Sequence, residues 1–265
     1  MDVVMLVVVG LLTGVTTVLF GFGGGFVAVP VVVWADAALG DDAMRVATAT
    51  STLVMVVNAG FATAVTPRRV LVALSGSRPL LLLLAAGASA GAVAARFAPA
   101  GPVRWAFVGY VVLTLADVLL RPGFLRTGGP VRGDAEAPRA LPAFLGAPVG
   151  AVAAFLGVGG SVMTVPAMRR AGHTMGVATA LANPLTLAIA LPATVVSLAA
   201  ATVPSDARAH LVGLVDLRAA AALLLGALPV IAVLRRRPPR IPDRAHAWAY
   251  AGLLAVVTAV MLRPV

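Results

Sequence analysis

The amino-acid sequence alternates between long apolar runs and short polar stretches. Most of the runs reach the roughly 20 residues that a helix needs to cross the hydrocarbon core of a bilayer. The pattern predicts an all-α polytopic membrane protein. Eight apolar segments can be drawn, at residues 3–33, 46–65, 79–97, 103–120, 141–168, 175–203, 217–234 and 245–262.

The first and fifth segments contain similar glycine clusters, GFGGGFVAVP at residues 21–30 and GVGGSVMTVP at residues 157–166. Each glycine in a helix interior costs about 1 kcal/mol relative to alanine, so we expect both segments to break there. Two such breaks in corresponding places point to the substrate site of a transporter. The alternative is close helix packing through small residues, but glycines that pack helices are usually spaced four apart.

The order of the segments predicts one membrane transporter domain built from two repeats, residues 1–121 and 141–265, joined by a linker at 122–140. If all eight segments cross, each side carries ten arginines. If the first and fifth segments instead re-enter, the sides carry six and fourteen. The re-entrant arrangement therefore satisfies the positive-inside rule and places both termini outside. Three crossings per repeat then make the two repeats inverted.

Composition agrees with this class and excludes several functions. Hydrophobic residues make up 60% of the chain and charged residues 11%. The net charge of +10 comes from arginines between the apolar runs, which indicates topology and not nucleic-acid binding. The absence of cysteine excludes disulfides and thiolate catalysis. With no P-loop and no H-E-x-x-H motif, we expect neither an enzyme nor a cofactor or metal. The N-terminus has no basic region, so we interpret it as a retained segment.

The paired glycine motifs are each followed by an Ala-Thr-rich stretch, ATATSTL at residues 47–53 and GVATALA at 176–182, and Val215-Asp216-Leu217 precedes a later span. With these features the chain resembles the TauE/SafE family of bacterial sulfite and organosulfonate exporters. Ser161 stands where that family usually has a third glycine. The resemblance implies secondary transport of small anions, as export of sulfite, organosulfonates or related sulfur oxyanions across the bacterial inner membrane. The alternatives are an importer of a small carboxylate or other solute, or a non-transporting intramembrane enzyme or assembly protein.

A helix that restarts after each glycine cluster would offer its N-terminal amides to an oxyanion. The hydroxyl and amide side chains that follow could line the same cavity, or could bond their own backbone instead. The candidate substrate-binding residues are Gly23, Gly24, Gly25, Phe26, Gly159, Gly160, Ser161, Val162, Thr50, Ser51, Asn58, Thr179 and Asn183.

Three further residues are candidates for gating or coupling. Arg45 and His173 flank the starts of the second and sixth segments, where topogenic charge is the simpler explanation. Asp117 lies inside a predicted span, although Arg121 one turn later can pair with it. We expect Asn183-Pro184 and Pro192 to interrupt the sixth segment. The expected partners are a small anion, the lipid bilayer and a coupling proton or sodium ion, with no nucleic acid; the oligomeric state is left open.

Overall fold

The computed structural model describes residues 3–35, 42–125, 141–199, 211–237 and 239–262. Its elements are almost all helical, with a two-stranded hairpin, β1 (Leu211–Val212) and β2 (Val215–Asp216), before the tenth helix. Seven helices in the described part of the chain are long and apolar enough to cross a membrane, which confirms the predicted class. The helices are α1 (Val3–Phe20), α2 (Gly25–Ala35), α3 (Ala43–Ala64), α4 (Arg68–Leu71), α5 (Arg78–Phe97), α6 (Ala100–Leu120), α7 (Gly146–Leu156), α8 (Ser161–Arg170), α9 (Met175–Leu198), α10 (Leu217–Arg236) and α11 (Asp243–Leu262).

Both predicted breaks are present. The first separates α1 from α2, and the second separates α7 from α8. Backbone φ angles in the breaks are positive, a conformation that glycine adopts without the steric penalty of other residues. The positive φ angles are 72° at Gly21, 62° at Gly23, 90° at Gly24, 70° at Gly157 and 71° at Gly159.

The expected interruptions of the sixth segment are wrong. α9 runs as one helix from Met175 to Leu198 and contains both Pro184 and Pro192. Proline removes one backbone donor, but a membrane helix tolerates this where neighbouring helices pack around it. α9 is packed between α3, α5 and α8, and Asn183 Nδ2 donates to the carbonyl oxygen of Thr179 within the same helix.

Each break forms the turn of a helical hairpin. Val31 and Ala35 at the end of α2 pack beside Leu6 and Val7 near the start of α1, so the chain returns to the level at which it entered. The second hairpin does the same. Gly146 at the start of α7 lies against the start of α5, and α8 ends where Arg170 pairs with the end of α6. These two helix ends share a face because α5 and α6 are consecutive crossings joined by a short turn.

The helix ends define two faces. The face that holds the start of α1 and the end of α11 is called the terminal face. On this face Arg104 Nη2 donates to the carbonyl oxygen of Met261, 3.0 Å away. There also Arg45 Nη2 donates to the carbonyl oxygen of Ala98, at 3.0 Å. The opposite face is called the arginine face. Most of the arginines in the described part of the chain lie at the arginine face: Arg68, Arg69, Arg78, Arg121, Arg169, Arg170, Arg235, Arg236, Arg237, Arg240 and Arg244. The described arginines at the terminal face are Arg45, Arg96, Arg104 and Arg218.

α3 and α9 cross at the centre of the bundle in opposite directions. Near the terminal face, Thr48 from the first part of α3 and Ser197 from the end of α9 line one cavity. Near the arginine face, Ala62 at the end of α3 packs with Val18 of α1, and Val18 lines a second cavity with Thr179 from the start of α9. These two helices are therefore antiparallel, although they hold the same place in the two predicted repeats.

The flanking helices exchange partners in the same way. α5 packs along α7, and its counterpart α10 packs along α1, the counterpart of α7. The predicted linker lies mostly outside the described residues. At its start Phe124 is buried, and its carbonyl oxygen accepts hydrogen bonds from Arg169 Nε at 3.3 Å and Nη2 at 3.0 Å. The division into repeats at these boundaries stays a prediction.

Candidate functional site

The two breaks meet between α3 and α9, against the same pair of side chains. A Cβ built on Gly23 would lie 2.9 Å from Thr186 Cγ2 and 3.3 Å from Met55 Cγ. A Cβ built on Gly159 would lie 2.9 Å from Met55 Sδ and 3.1 Å from Thr186 Cγ2. Met55 and Thr186 occupy corresponding positions after the two Val-Ala-Thr sequences of α3 and α9. The breaks are therefore adjacent and buried at the centre of the bundle.

In a second pair of contacts, a glycine of each break lies against the central helix of the other half. A Cβ on Gly21 of the first break would lie 2.5 Å from the carbonyl oxygen of Thr179 in α9. A Cβ on Gly157 of the second break would lie 2.8 Å from Cγ2 of Thr48 in α3. Each break therefore rests on the threonine of the other half, and each needs glycine because the neighbouring helix comes too close for a side chain.

Two helices begin at these breaks and run outward from them. The first amides of any helix lack intrahelical acceptors and carry partial positive charge. Here they belong to Gly25 and Phe26 in α2 and to Ser161 and Val162 in α8, and Gly160 provides no side-chain cap. The centre of the bundle therefore presents two helix N-termini in a buried environment, an arrangement that favours an anion.

The side chains of Phe26 and Val162 are buried in the core, so these two residues contribute only their backbone amides to the site. The Phe26 ring lies 4.9 Å from the Phe22 ring and 6.1 Å from the Phe107 ring, as centroid distances. The carbonyl oxygen of Val162 accepts a hydrogen bond of 3.1 Å from Tyr250 Oη of α11. This cluster of rings and the tyrosine bond hold the beginnings of α2 and α8 in place.

Several polar side-chain atoms at the breaks are buried without a hydrogen-bond partner. Asn58 has no exposed surface, and both its Oδ1 and its Nδ2 lack a partner. A Cβ on Gly24 would lie 2.9 Å from that Nδ2, so the amide faces the first break. Ser161 Oγ at the second break and Thr48 Oγ1 are likewise without partners. Since buried polar atoms are almost always paired in folded proteins, these donors and acceptors are available to a ligand.

The space between the breaks is filled by Met55. A Cβ on Gly25 would lie only 2.4 Å from Met55 Sδ, and Met55 is 1% exposed. Methionine is unbranched and flexible, so its side chain can move without a change in the backbone. An anion at the helix N-termini would therefore take the place of the Met55 thioether.

Comparison with known proteins then fixes the family. A family model described as sulfite exporter TauE/SafE matches residues 6–261. The chain belongs to the TauE/SafE family. No match was found among curated proteins or among solved structures. Membership makes this TauE/SafE protein a multi-pass membrane transporter of sulfur anions and not an enzyme.

The other candidate binding residues of this TauE/SafE protein connect the two halves near the terminal face or lie within α9. Thr50 Oγ1 accepts a 2.9 Å hydrogen bond from the backbone amide of Asp216. Ser51 Oγ lies 2.9 Å from the carbonyl oxygen of Gly157 and 2.7 Å from that of Thr48. In Asn183 the Nδ2 is bonded within α9, while Oδ1 is buried and unpartnered. Thr50 and Ser51 therefore tie α3 to the second half.

The gating and coupling candidates lie away from the breaks. Asp117 is at the arginine face, where its carboxylate lies 2.7 Å from Arg170 Nη2 and 3.3 Å from Arg121 Nη1. His173 lies in the turn between α8 and α9, and burial lowers the pKa of its imidazole. Arg45 lies at the terminal face, 3.5 Å from Asp42 and bonded to Ala98. The structure does not bring these three residues together.

Sequence reasoning missed the two residues at the crossing, Met55 and Thr186, and also Thr13. A Cβ on Gly24 would lie 2.2 Å from Thr13 Cγ2, so α1 covers the first break from the other side. The matched Val-Ala-Thr sequences carried a signal, because aligning them pairs Met55 with Thr186. No comparable sequence pattern marks Thr13.

Proposed function

We propose that the protein is a secondary carrier of small anions that exports sulfite, organosulfonates or related sulfur oxyanions across the bacterial inner membrane. The observation that carries the proposal is the meeting of two helix N-termini at the buried glycine breaks. Their free amides, with the unpartnered Asn58 amide and Ser161 hydroxyl, supply donors to an oxyanion where water is excluded. Gly23, Gly24, Gly25, Phe26, Gly159, Gly160, Ser161 and Val162 form this proposed site.

The exchange of contacts between the halves supports an inverted repeat that rocks about the central site. α3 and α9 are corresponding helices that cross antiparallel, as an axis in the membrane plane requires. Export would be driven by a proton or sodium gradient or by the membrane potential. With the arginine face in the cytoplasm, the start of α1 and the end of α11 lie outside.

Counterflow tests the proposal, because only a carrier exchanges labelled substrate for unlabelled. Proteoliposomes loaded with unlabelled sulfite should take up labelled sulfite. Gly24→Leu should abolish exchange while leaving membrane insertion intact, since its Cβ would lie 2.2 Å from Thr13 Cγ2 at a φ of 90°. Gly160→Leu should do the same by placing a side chain at the N-terminus of α8, where its Cβ would lie 2.4 Å from Ile189 Cδ1. Gly252→Leu, in α11 with open space around it, is the control.

Three outcomes would change the conclusion. Unchanged exchange in Gly24→Leu would refute the site. Counterflow of lactate without any of sulfite, thiosulfate, taurine or sulfoacetate would favour the small-carboxylate carrier. No counterflow of any of these anions by the intact protein would refute the carrier itself.

A further inference from the structure

Two cavities lie on opposite sides of the paired breaks. The cavity toward the arginine face has a volume of about 360 Å³, whereas the cavity toward the terminal face has about 30 Å³. The smaller volume accommodates about one or two water molecules, while the larger admits a small hydrated anion. The approach to the breaks is therefore wide at the arginine face and narrow at the terminal face.

Corresponding parts of the two halves line the two cavities. Thr179 lines the arginine-face cavity, and Thr48, which holds the same place in the other Val-Ala-Thr sequence, lines the terminal-face cavity. Leu19 and Phe155 correspond as well, because each lies two residues before the first glycine of its break. Since both cavities lead to a threonine that contacts a break, they are equivalent approaches to the same centre.

Each cavity also contains an arginine from the end of a corresponding helix. Arg96 is the next-to-last residue of α5, and Arg235 is the next-to-last residue of α10. Nε and Nη2 of Arg235 are buried and have no hydrogen-bond partner. A guanidinium at the wall of a cavity of this size, with two donors that no protein acceptor uses, can bind an anion through two parallel hydrogen bonds.

The other charged group of the arginine-face cavity is compensated. Asp243 Oδ2 lies 2.7 Å from Arg169 Nη1, and its Oδ1 accepts a 2.7 Å hydrogen bond from the backbone amide of Met175. The remaining titratable side chain is His246, whose Nε2 contacts the carbonyl oxygen of Leu19. Arg235 therefore gives this cavity a net positive charge.

From this geometry we propose that Arg235 and Thr179 form an entry subsite for a sulfur oxyanion, reached from the arginine face before the anion passes to the breaks. Arg96 and Thr48 form the corresponding subsite at the terminal face, where the cavity is too small to hold the anion in this structure. The inference rests on the proposed anion carrier and adds residues that the central site does not contain. The guanidinium binds the oxygens of the anion, and Thr179 connects the cavity that it lines to the first break, because its carbonyl oxygen lies against Gly21.

Equilibrium binding of labelled sulfite to the purified full-length protein tests the subsite. Arg235→Gln should weaken sulfite binding about tenfold or more, the usual effect of losing hydrogen bonds from a charged group. Arg236→Gln is the matched control, since it removes the same charge from the exposed neighbouring residue and should change affinity less than twofold. Thr179→Val, which leaves the charge unchanged, should weaken binding by a smaller factor than Arg235→Gln.

The outcomes separate the subsite from the carrier. If the intact protein exchanges sulfite and Arg235→Gln binds it as tightly as the intact protein does, the subsite is wrong and the carrier stands. Equal losses in Arg235→Gln and Arg236→Gln would also overturn the subsite, because they would indicate general attraction by the basic face. Absence of sulfite binding and of sulfite exchange in the intact protein would overturn both proposals. A monodisperse elution profile and an unchanged melting temperature show that each variant is folded.

Discussion

At the scale of single residues, Asn58 shows how the proposed site conflicts with stability. Its amide is fully buried, and neither of its polar atoms has a hydrogen-bond partner. An unpaired buried polar group costs about 1–3 kcal/mol. Because Asn58 lies where two helix N-termini meet, we infer that its amide serves to bind a ligand and destabilises the empty protein.

Asn58→Leu should therefore raise the stability of the empty protein and abolish sulfite counterflow. The expected increase in melting temperature is about 2–4 °C for each kcal/mol gained. Asn183→Leu is the comparison, because Asn183 Nδ2 already has a partner in Thr179 and less is gained by removing the amide. A melting temperature that falls in Asn58→Leu would show that the amide is satisfied in the protein.

His173 provides a pH-dependent test at the same scale. Burial lowers the pKa of its imidazole below the ordinary value of about 6.5, so the unfolded chain binds this proton more readily than the folded protein. Stability should then decrease as the pH falls through and below 6.5, and be independent of this group above that range. Melting temperatures from pH 8 to pH 5 should decrease more in the intact protein than in His173→Gln. Parallel curves would contradict the assignment.

At the scale of helices, two glycine-lined seams hold the hairpins in the bundle. A Cβ on Gly87 of α5 would lie 2.1 Å from the carbonyl oxygen of Ala147 in α7. A Cβ on Gly226 of α10 would lie 2.1 Å from the carbonyl oxygen of Val7 in α1. Small residues let membrane helices approach closely, and they do so along the first arm of each hairpin, α1 and α7. The glycines four apart in α5 are therefore packing residues, while the clusters at the breaks form turns.

Gly150→Leu should prevent α7 from packing on α5, since its Cβ would lie 2.1 Å from the backbone carbonyl oxygen of Leu84, which has no freedom to move. We expect little monodisperse protein in size-exclusion chromatography after detergent extraction. Gly109→Leu, in α6 with nothing within 4 Å of its Cβ, should elute like the unmodified chain. A normal profile for Gly150→Leu would mean that α7 and α5 do not need this close contact.

At the scale of the whole molecule, the hairpins decide how the charges are distributed. Because each hairpin returns to the face from which it started, the loops of both halves sort into an arginine face and a terminal face. The positive-inside rule then predicts an orientation with the arginine face in the cytoplasm. The larger cavity opens on that face, as expected for a carrier that loads its cargo from inside the cell.

The chain contains no cysteine, so single-cysteine variants report this orientation without background. Gly101→Cys at the terminal face should react with a membrane-impermeant maleimide in intact bacterial spheroplasts. Ser75→Cys, in the turn before α5 at the arginine face, should react only after the membrane is permeabilised. The reverse pattern would invert the orientation, and labelling of both residues from outside would contradict the crossing of α5 that separates them.

The amino-acid sequence by itself determined the class, the family and the location of the breaks. Hydropathy reports directly on burial in lipid, and clustered glycines disfavour a helix whatever surrounds them, so both are local properties. The prolines in α9 gave a wrong prediction, because the effect of proline depends on its surroundings. Packing around α9 keeps the helix continuous through Pro184 and Pro192. Tertiary structure alone decided that the two breaks touch the same side chains, Met55 and Thr186, and that Arg235 lies in an open cavity. The contacts between the halves, from Gly23 to Thr186 and from Gly159 to Met55, join residues more than a hundred positions apart, and no local pattern in the chain specifies them.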